Sequence, residues 1–253
     1  MVKVLEGVRV LEMGTFITGP AAAMFLADMG ADVVKVERPK TGDPFRAFKG
    51  GLYSPPFQTY NRNKRSVTLD TKQGADQKIL DALVGDADVF IQNFRPGVAE
   101  ELNVGAERLQ KINPRLIYCG ISGFGHDGPD RERPAYDTVA QAASGWLRLL
   151  INPENPRVVG PAIDDAVTGM YAAFGILGAL HEREKKGKGR RVEVSMLEAM
   201  CHVNLDDFTH YFSQNEIMEP YSRQSVPQSY VFECSDGNWI AMHMSSPEKF
   251  GES

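Results

Sequence analysis

Residues 8–38, VRVLEMGTFITGPAAAMFLADMGADVVKVER, divide into three pieces by pattern alone. Val8 to Met13 is short, apolar and rich in Val and Leu, as a buried strand is. Gly14 to Gly19 is a loop, and Pro20 stands at the first position of an apolar helix, AAAMFLADMG, which Gly30 closes. Ala31 to Arg38 is a second strand. Together they form a β-α-β unit whose crossover is long enough for parallel pairing. The fold class this predicts is α/β: a Rossmann-like, doubly wound parallel sheet with ligands at the carboxyl ends of its strands.

The alternation continues downstream. Asn61 to Asp70 passes from a basic loop into a strand, followed by a helix from Thr71 or Lys72 to about Leu83. Ala87 to Phe94 is a strand ending in the turn NFRPG (93–97), and a short helix near Glu107 to Ile112 precedes the strand Leu116 to Phe124. The Gly-, Pro- and aromatic-rich stretch Phe45 to Tyr60 is expected to be loop. Three strand ends thereby deliver cations to loops: Arg38, Lys72 and Arg95. Any one of them alone reads as a solvated charge, but three at equivalent topological positions point to a phosphate site. GFGHDG (123–128) matches GxGxxG after a strand, yet PDRERP cannot start the helix that motif needs, so it reads as a Gly-rich loop. His126 beside Asp127 is then either a solvated pair or an acid-base pair.

In the second half, GPAIDDAVTGMYAAFGILGAL (160–180) is a helix whose only charges, Asp164 and Asp165, sit in its first turn. The helix dipole favours anions there, so both carboxylates are expected to be ionised. An Asp N-cap would account for the pair, but not for Gly160, Pro161, Gly169, Gly175 and Gly178, which point to close approach of another backbone or a ligand. Tyr136 to Leu150 is expected to be one helix packed against it, by its small residues. Val192 to Met196 is a strand, and Leu197 to Ser213 a helix carrying His202 and His210 with Asp206 midway. Without a third strong ligand the two read as core or surface histidines, and no metal is expected. Ser229 to Met244 is a β-hairpin turning at Asp236-Gly237. The expected division is a Rossmann-like domain over 1–190 and, over 191–253, a linker helix and the start of a smaller α+β domain. The sequence stops soon after the hairpin without a closing element, so the chain is expected to be truncated.

Composition narrows the partners. With 253 residues, 42% hydrophobic, 28 basic against 33 acidic groups and a net charge of -5, the chain has no broad nucleic-acid footprint. An anionic ligand needs a local basic patch. No apolar run approaches the roughly 18 residues of a bilayer span, and the N-terminus lacks a signal-peptide pattern, so a cytoplasmic protein without a membrane partner is expected. Cys119, Cys201 and Cys234 are odd in number and never in CxxC, against a disulfide framework or a zinc site.

Taken in order, GVRVLEMG with GPAAAMFLADMGADVVKVERPKTGD, NKRSVTLDTK, ADVFIQNFRPG, NPRLIYCGISGFGHDGP, YDTVAQAASG, DDAVTGM, GKGRRVEVSMLEAM and the DG hairpin resemble the family III CoA-transferases of the formyl-CoA and carnitine CoA-transferase type. The resemblance spans essentially the whole chain. It implies coenzyme A, as an acyl-CoA co-substrate, a small carboxylic acid as the second substrate, a smaller second domain, and an interlocked homodimer of the full-length protein. The family's nucleophilic Asp stands four residues before the Gly of DxxxGM, which selects Asp165. CoA-contacting positions fall on Arg38, Leu69, Lys72, Asn93, Phe94 and Arg95, and Tyr136 matches a Tyr lining the acyl site. The implied activity moves CoA from an acyl-CoA to a carboxylic acid through a mixed anhydride and an aspartyl-CoA thioester.

Two positions and the length depart from the family. Ile17 replaces a Gln found near the acyl group in some members, which favours a more apolar acid. Glu101 replaces a basic CoA-contacting position. Members of the family also run longer than this chain. Two alternatives stand beside transfer. One is an acyl-CoA racemase or epimerase working by α-proton abstraction, whose His would lie on the segment that here reads AYDTVAQ and holds Tyr136 instead. The other is an inactive acyl-CoA-binding fragment.

Overall fold

The computed structural model describes residues 3–222 and 229–243. Six strands, β1 (Arg9–Glu12), β2 (Asp32–Glu37), β3 (Lys64–Thr68), β4 (Val89–Gln92), β5 (Ile117–Ser122) and β6 (Arg191–Ser195), form one parallel sheet in the order β3-β2-β1-β4-β5-β6. Helix α1 (Thr18–Asp28) is the first crossover, as the opening stretch predicts. The chain reverses its direction of winding between β1 and β4, the switch point at which sheets of this order open a crevice.

Two apolar layers cover the sheet. On one face α1 and α8 (Ile163–Lys186) pack over Val10, Val33, Val89, Ile91, Ile117 and Cys119. On the other, α3 (Gly74–Asp86) and α5 (Ala106–Ile112) place Leu80, Val84 and Leu109 on Phe90 and Tyr118. A Cβ on Gly169 of α8 would stand 2.7 Å from the Ala21 Cβ and 3.1 Å from the Thr18 carbonyl, so α1 and α8 meet at backbone distance. Helix α8 also corrects the count of apolar runs. An 18-residue window within it reaches a mean hydropathy of 1.2, enough by length and composition for a bilayer span, yet it is a layer of the core here.

The end of α8 shows where backbone conformation decides. Gly187 closes it in the left-handed region at φ 69°, and two residues on the chain grazes the start of β5. A Cβ on Gly189 would lie 2.0 Å from the Leu116 carbonyl oxygen, with no side chain to yield. Gly189→Ala is therefore expected to lower stability by about 1–3 kcal/mol, as overpacking does. Gly178→Ala on the open face of α8, where a Cβ meets nothing within 4 Å, is expected to raise it by up to about 1 kcal/mol. Urea midpoints of opposite sign check the pair.

Several expected elements differ. Residues 45–60 are not all loop: Asp43 caps a 3₁₀ turn at Pro44–Ala47, and Ser54 caps α2 (Pro55–Asn61) by accepting from the Phe57 amide, with Pro at the first helical position. The helix expected over 136–150 is two, α6 (Asp137–Ala143) and α7 (Trp146–Leu150), parted by Gly145 at φ 81°. The one expected over 197–213 is likewise α9 (Met196–Val203) and α10 (Leu205–Gln214), parted at Asn204. A short helix, α4 (Val98–Glu101), follows the NFRPG turn. Residues 191–195 pair with β5 in the large sheet, so that layer runs past the division expected at 190. The hairpin is present as β7 (Ser229–Glu233) against β8 (Trp239–His243), while residue 244 lies outside the described residues.

Candidate active site

At the switch point the β1–α1 loop is held from across the crevice. Asn93, just past β4, accepts from the Thr15 amide at 2.9 Å and donates to the Thr15 carbonyl at 2.8 Å and the Thr18 hydroxyl at 2.9 Å. Both ends of its carboxamide are thus engaged within the protein. Phe16, at the loop's crest, takes the left-handed conformation at φ 61° and donates its amide to Asp43 at 3.3 Å. Its ring meets Phe45 and Tyr136 edge-on, at 5.1 and 6.2 Å between centroids.

Around this loop lie two adjoining clefts. One, of about 590 Å³, opens at the ends of β2, β3 and β4 and is lined by Arg38, Lys40, Leu69, Lys72 and Phe94. The other, of about 770 Å³, is lined by Ile17, Asn93, Arg95, Tyr136 and Asp165, and shares Thr15, Arg38, Phe94 and Val98 with the first. The positions that the family resemblance assigns to CoA, to the acyl group and to the nucleophile therefore all line one of these two adjoining cavities. Arg38, Lys72 and Arg95 are exposed, and none enters an ion pair among the described residues, so all three cations are available to an anion. Leu69 is buried at 6% and Asn93 is engaged as above, so what these two offer a ligand is backbone or shape.

Beneath the first cleft sits a buried charge cluster. Glu12 and Lys35 face each other on paired strands, and the Lys35 ammonium also reaches Asp43 at 3.0 Å and the Gly14 carbonyl at 2.8 Å. Lys64 joins Glu12 from β3 at 3.2 Å. Glu37 next to it is held down to about 2: burial would raise it, but bonds from Arg46, Ser66 and the Asp43 amide outweigh that. The cluster fixes the floor under Gly14 and Phe16.

Asp164 and Asp165 separate into two environments. Asp164 is fully buried, with one oxygen accepting from the Thr168 hydroxyl at 3.0 Å and the other without a partner among the described residues. Asp165 is half-buried and faces the larger cleft. Neither caps α8, whose N-cap is Ala162. The Asp137 carboxylate does so from α6, accepting from the Asp164 amide at 2.9 Å and the Asp165 amide at 3.4 Å. The expectation that the helix dipole keeps both ionised is corrected. Burial, reinforced by Asp137, pushes Asp165 up to about 7, and burial with Asp137 and Asp165 does the same for Asp164. With no solvent around it, Asp164 is held in an environment that favours its protonated form.

That proton links Asp164 to stability. A folded-state value above the ordinary 3.8 means that the native state binds the proton more tightly than the unfolded chain. Stability from this group is complete below about 4 and falls as pH rises through about 7. Asp164→Asn, which cannot ionise and keeps the Thr168 contact, is expected to flatten that decline in a series of thermal melts from pH 5 to pH 8.

Among side chains the sequence did not single out, Asp137, Phe16 and Tyr60 stand here. Tyr60, on α2, is raised by burial and by the Asp165 and Asp137 charges, which places its hydroxyl in their field. Other candidates fall elsewhere. His126 lines a separate cavity of about 150 Å³ with Glu193, Ser195 and Glu198, its Nε2 3.9 Å from Glu193. His202 packs on Tyr171 and His210 binds Glu216 at 2.7 Å. No cluster of potential metal ligands occurs among the described residues.

Comparison with known proteins fits this geometry. The profile of CoA-transferase family III matches residues 5–252. The formyl-CoA:oxalate CoA-transferase of Streptomyces avermitilis is 43% identical over 217 residues, 82% of this chain and 52% of that protein. The succinyl-CoA–D-citramalate CoA-transferase of Chloroflexus aurantiacus is 34% identical over 244 residues, 94% of this chain and 61% of that one. The crystal structure of a CAIB/BAIF family protein from Brucella suis superposes with a TM-score of 0.89 at 32% identity, covering all of this chain and 69% of its own. The chain thus spans between half and two-thirds of the length of these curated relatives. On the match from residue 5 to residue 252, this chain belongs to CoA-transferase family III.

Proposed function

We propose that this chain carries the CoA-binding face and the nucleophile of a CoA-transferase that moves CoA from an acyl-CoA thioester to a small carboxylic acid. The observation that carries this reading is the single half-buried carboxylate, Asp165, on a cleft continuous with one whose rim holds Arg38 and Lys72. Asp165 attacks the thioester carbonyl, the C–S bond breaks, and a mixed anhydride forms with release of CoA thiolate. The thiolate attacks the aspartyl carbonyl, expels the first acid as carboxylate and leaves an aspartyl-CoA thioester. A second carboxylate attacks that thioester, and the thiolate then takes its acyl group, regenerating Asp165. No electrons change hands: the CoA thiolate is reused at each stage, and the first acid departs as product. Burial serves the first attack by stripping water from a carboxylate that hydration would blunt.

Arg38, Lys72 and Arg95 hold the phosphates, Phe94 and Leu69 shape the cleft, and Ile17 and Tyr136 face the acyl group. Oxalate and citramalate, named for the relatives, are dicarboxylic or hydroxylated acids, whereas Ile17 gives this cleft an apolar wall, favouring a less polar acid. Racemisation is disfavoured by the lining of the larger cleft, which holds Tyr136 and no His among the described residues, while His126 lies on another cavity. The full-length assembly in this reading is an interlocked homodimer in the cytoplasm. Intact-protein mass spectrometry after incubation with formyl-, succinyl- and butyryl-CoA tests the chemistry: a hydroxylamine-labile CoA adduct mapping to the peptide of Asp165 is expected. Solvent deuterium entering the acyl α-position, without any adduct, would return the racemase to the front.

A further inference from the structure

Helix α8 begins with no cap of its own, and the group that fills the vacancy comes from 27 residues earlier in the sequence. One oxygen of Asp137 accepts the first two amides of consequence, those of Asp164 and Asp165, at 2.9 and 3.4 Å. Its other oxygen accepts from Gln141 at 2.6 Å, and Gln141 is fully buried, so the carboxylate cannot swing away. Asp137 also directly follows Tyr136, whose ring stands edge-on to Phe16. One side chain therefore ties the start of α6 to the start of α8, and with them two residues that line the larger cleft, Tyr136 and Asp165.

We propose that Asp137 is a positioning residue for Asp165: through the α8 amides it fixes where the nucleophile stands relative to Tyr136, and its fixed negative charge sets the field the nucleophile works in. This rests on the transferase reading above. The physical case has two parts. A carboxylate on a helix N-terminus satisfies amides that otherwise have no partner, and so removes the fraying that would let the first turn wander. A displacement of the order of 1 Å in a reacting group costs up to about a hundredfold in rate. Second, a like charge close to Asp165 opposes the helix dipole and keeps the carboxylate basic, hence more nucleophilic once ionised. The other charged groups facing Asp165 are Asp164 on its own helix, Tyr60 from α2, and the guanidiniums of Arg38, Arg95, Arg131 and Arg133 on the cleft walls. Of these only Asp137 bonds the backbone of the nucleophile.

The test compares Asp137→Ala and Asp137→Asn in the whole chain, with succinyl-CoA as the probe. The expected result is that Asp137→Ala slows formation of the Asp165 adduct by about tenfold or more, at unchanged saturation constant for succinyl-CoA. Asp137→Asn, whose carbonyl oxygen can still accept both amides, recovers most of that rate and shifts its rise to lower pH. Equal rates in wild type and Asp137→Ala would overturn the inference. Titration of the Asp165 carboxyl carbon by NMR, assigned with Asp165→Asn, reads the field directly and needs no turnover. Its midpoint is expected to fall in Asp137→Asn, and a midpoint that stays in place overturns the inference. Should wild type form no adduct at all, the transferase reading fails and this titration still judges Asp137. If Asp137→Ala does not fold, Asp137→Asn still judges the charge by this titration, and an unmoved midpoint overturns the inference.

Discussion

In Asp165→Ala the hydroxylamine-labile CoA adduct disappears, with a rate loss of about 10⁴-fold or more, the scale at which removal of a nucleophile is felt. The neighbouring carboxylate cannot substitute. Asp164 lies one residue back on α8, about 100° around the helix, is fully buried, and bonds Thr168. The loss should fall on chemistry and leave binding alone, because the cations proposed to hold the phosphates are on strand-end loops of β2, β3 and β4 and not on α8. Calorimetric titration with CoA then gives a similar dissociation constant for wild type and variant. An adduct that persists in Asp165→Ala would remove Asp165 from the mechanism outright.

The same residue sets a pH dependence whose sign is fixed. In the proposed mechanism attack requires the ionised carboxylate, and burial with the Asp137 charge pushes Asp165 up to about 7. The single-turnover rate of adduct formation should therefore climb as pH rises from 5.5, bend near 7 and level off above it. A rate already flat at pH 5.5 would mean that the helix dipole prevails over burial, which is what the isolated sequence of α8 implies.

That reversal marks where reading residues in order stops working. The β-α-β opening was legible because each of its decisions is local: the apolar strand, Pro20 at a helix start and Gly30 at its end all act within a few residues. The cations of the clefts were legible for a related reason, since parallel topology alone gathers strand ends on one edge of a sheet. The ionisation of Asp165 was not, because its causes, burial first and then the Asp137 charge from 28 residues away, are both set by tertiary contacts. Gly145 and Asn204 break two expected helices for a subtler reason. Apolar spacing runs on through both positions, while the backbone leaves helical geometry at each, Gly145 at φ 81° and Asn204 at φ -97° and ψ 18°. The cap at Ser54 was present in the sequence as Ser-Pro-Pro, the signal of a helix start, but was outweighed by the glycines and prolines around it.

Glu12 and Lys35 lay in stretches read as buried strands, where each charge looks like an exception. Only the parallel register that sets residue 12 opposite residue 35 turns the two exceptions into a pair. Lys35→Met is expected to lower stability by about 3–5 kcal/mol, the cost of breaking a buried ion pair by removing one partner. Lys35 is 2% exposed and its two carboxylate partners are fully buried, so neither can recover solvation when the ammonium goes. Lys64 compensates only in part, because it reaches Glu12 and not Asp43 within ion-pair distance. The stranded charge is then Asp43. Its Oδ1 must keep accepting from the Phe45 and Phe16 amides, so it cannot turn away. Adding Asp43→Asn to Lys35→Met removes that charge while preserving the acceptor, and should restore part of the loss, giving a coupling of about 1–3 kcal/mol in a double-mutant cycle followed by urea denaturation. Purely additive losses would mean that Lys35 and Asp43 act independently. The single variant should also loosen the Gly14–Phe16 loop, since the Lys35 ammonium holds the Gly14 carbonyl, and with it the wall of the larger cleft opposite Tyr136.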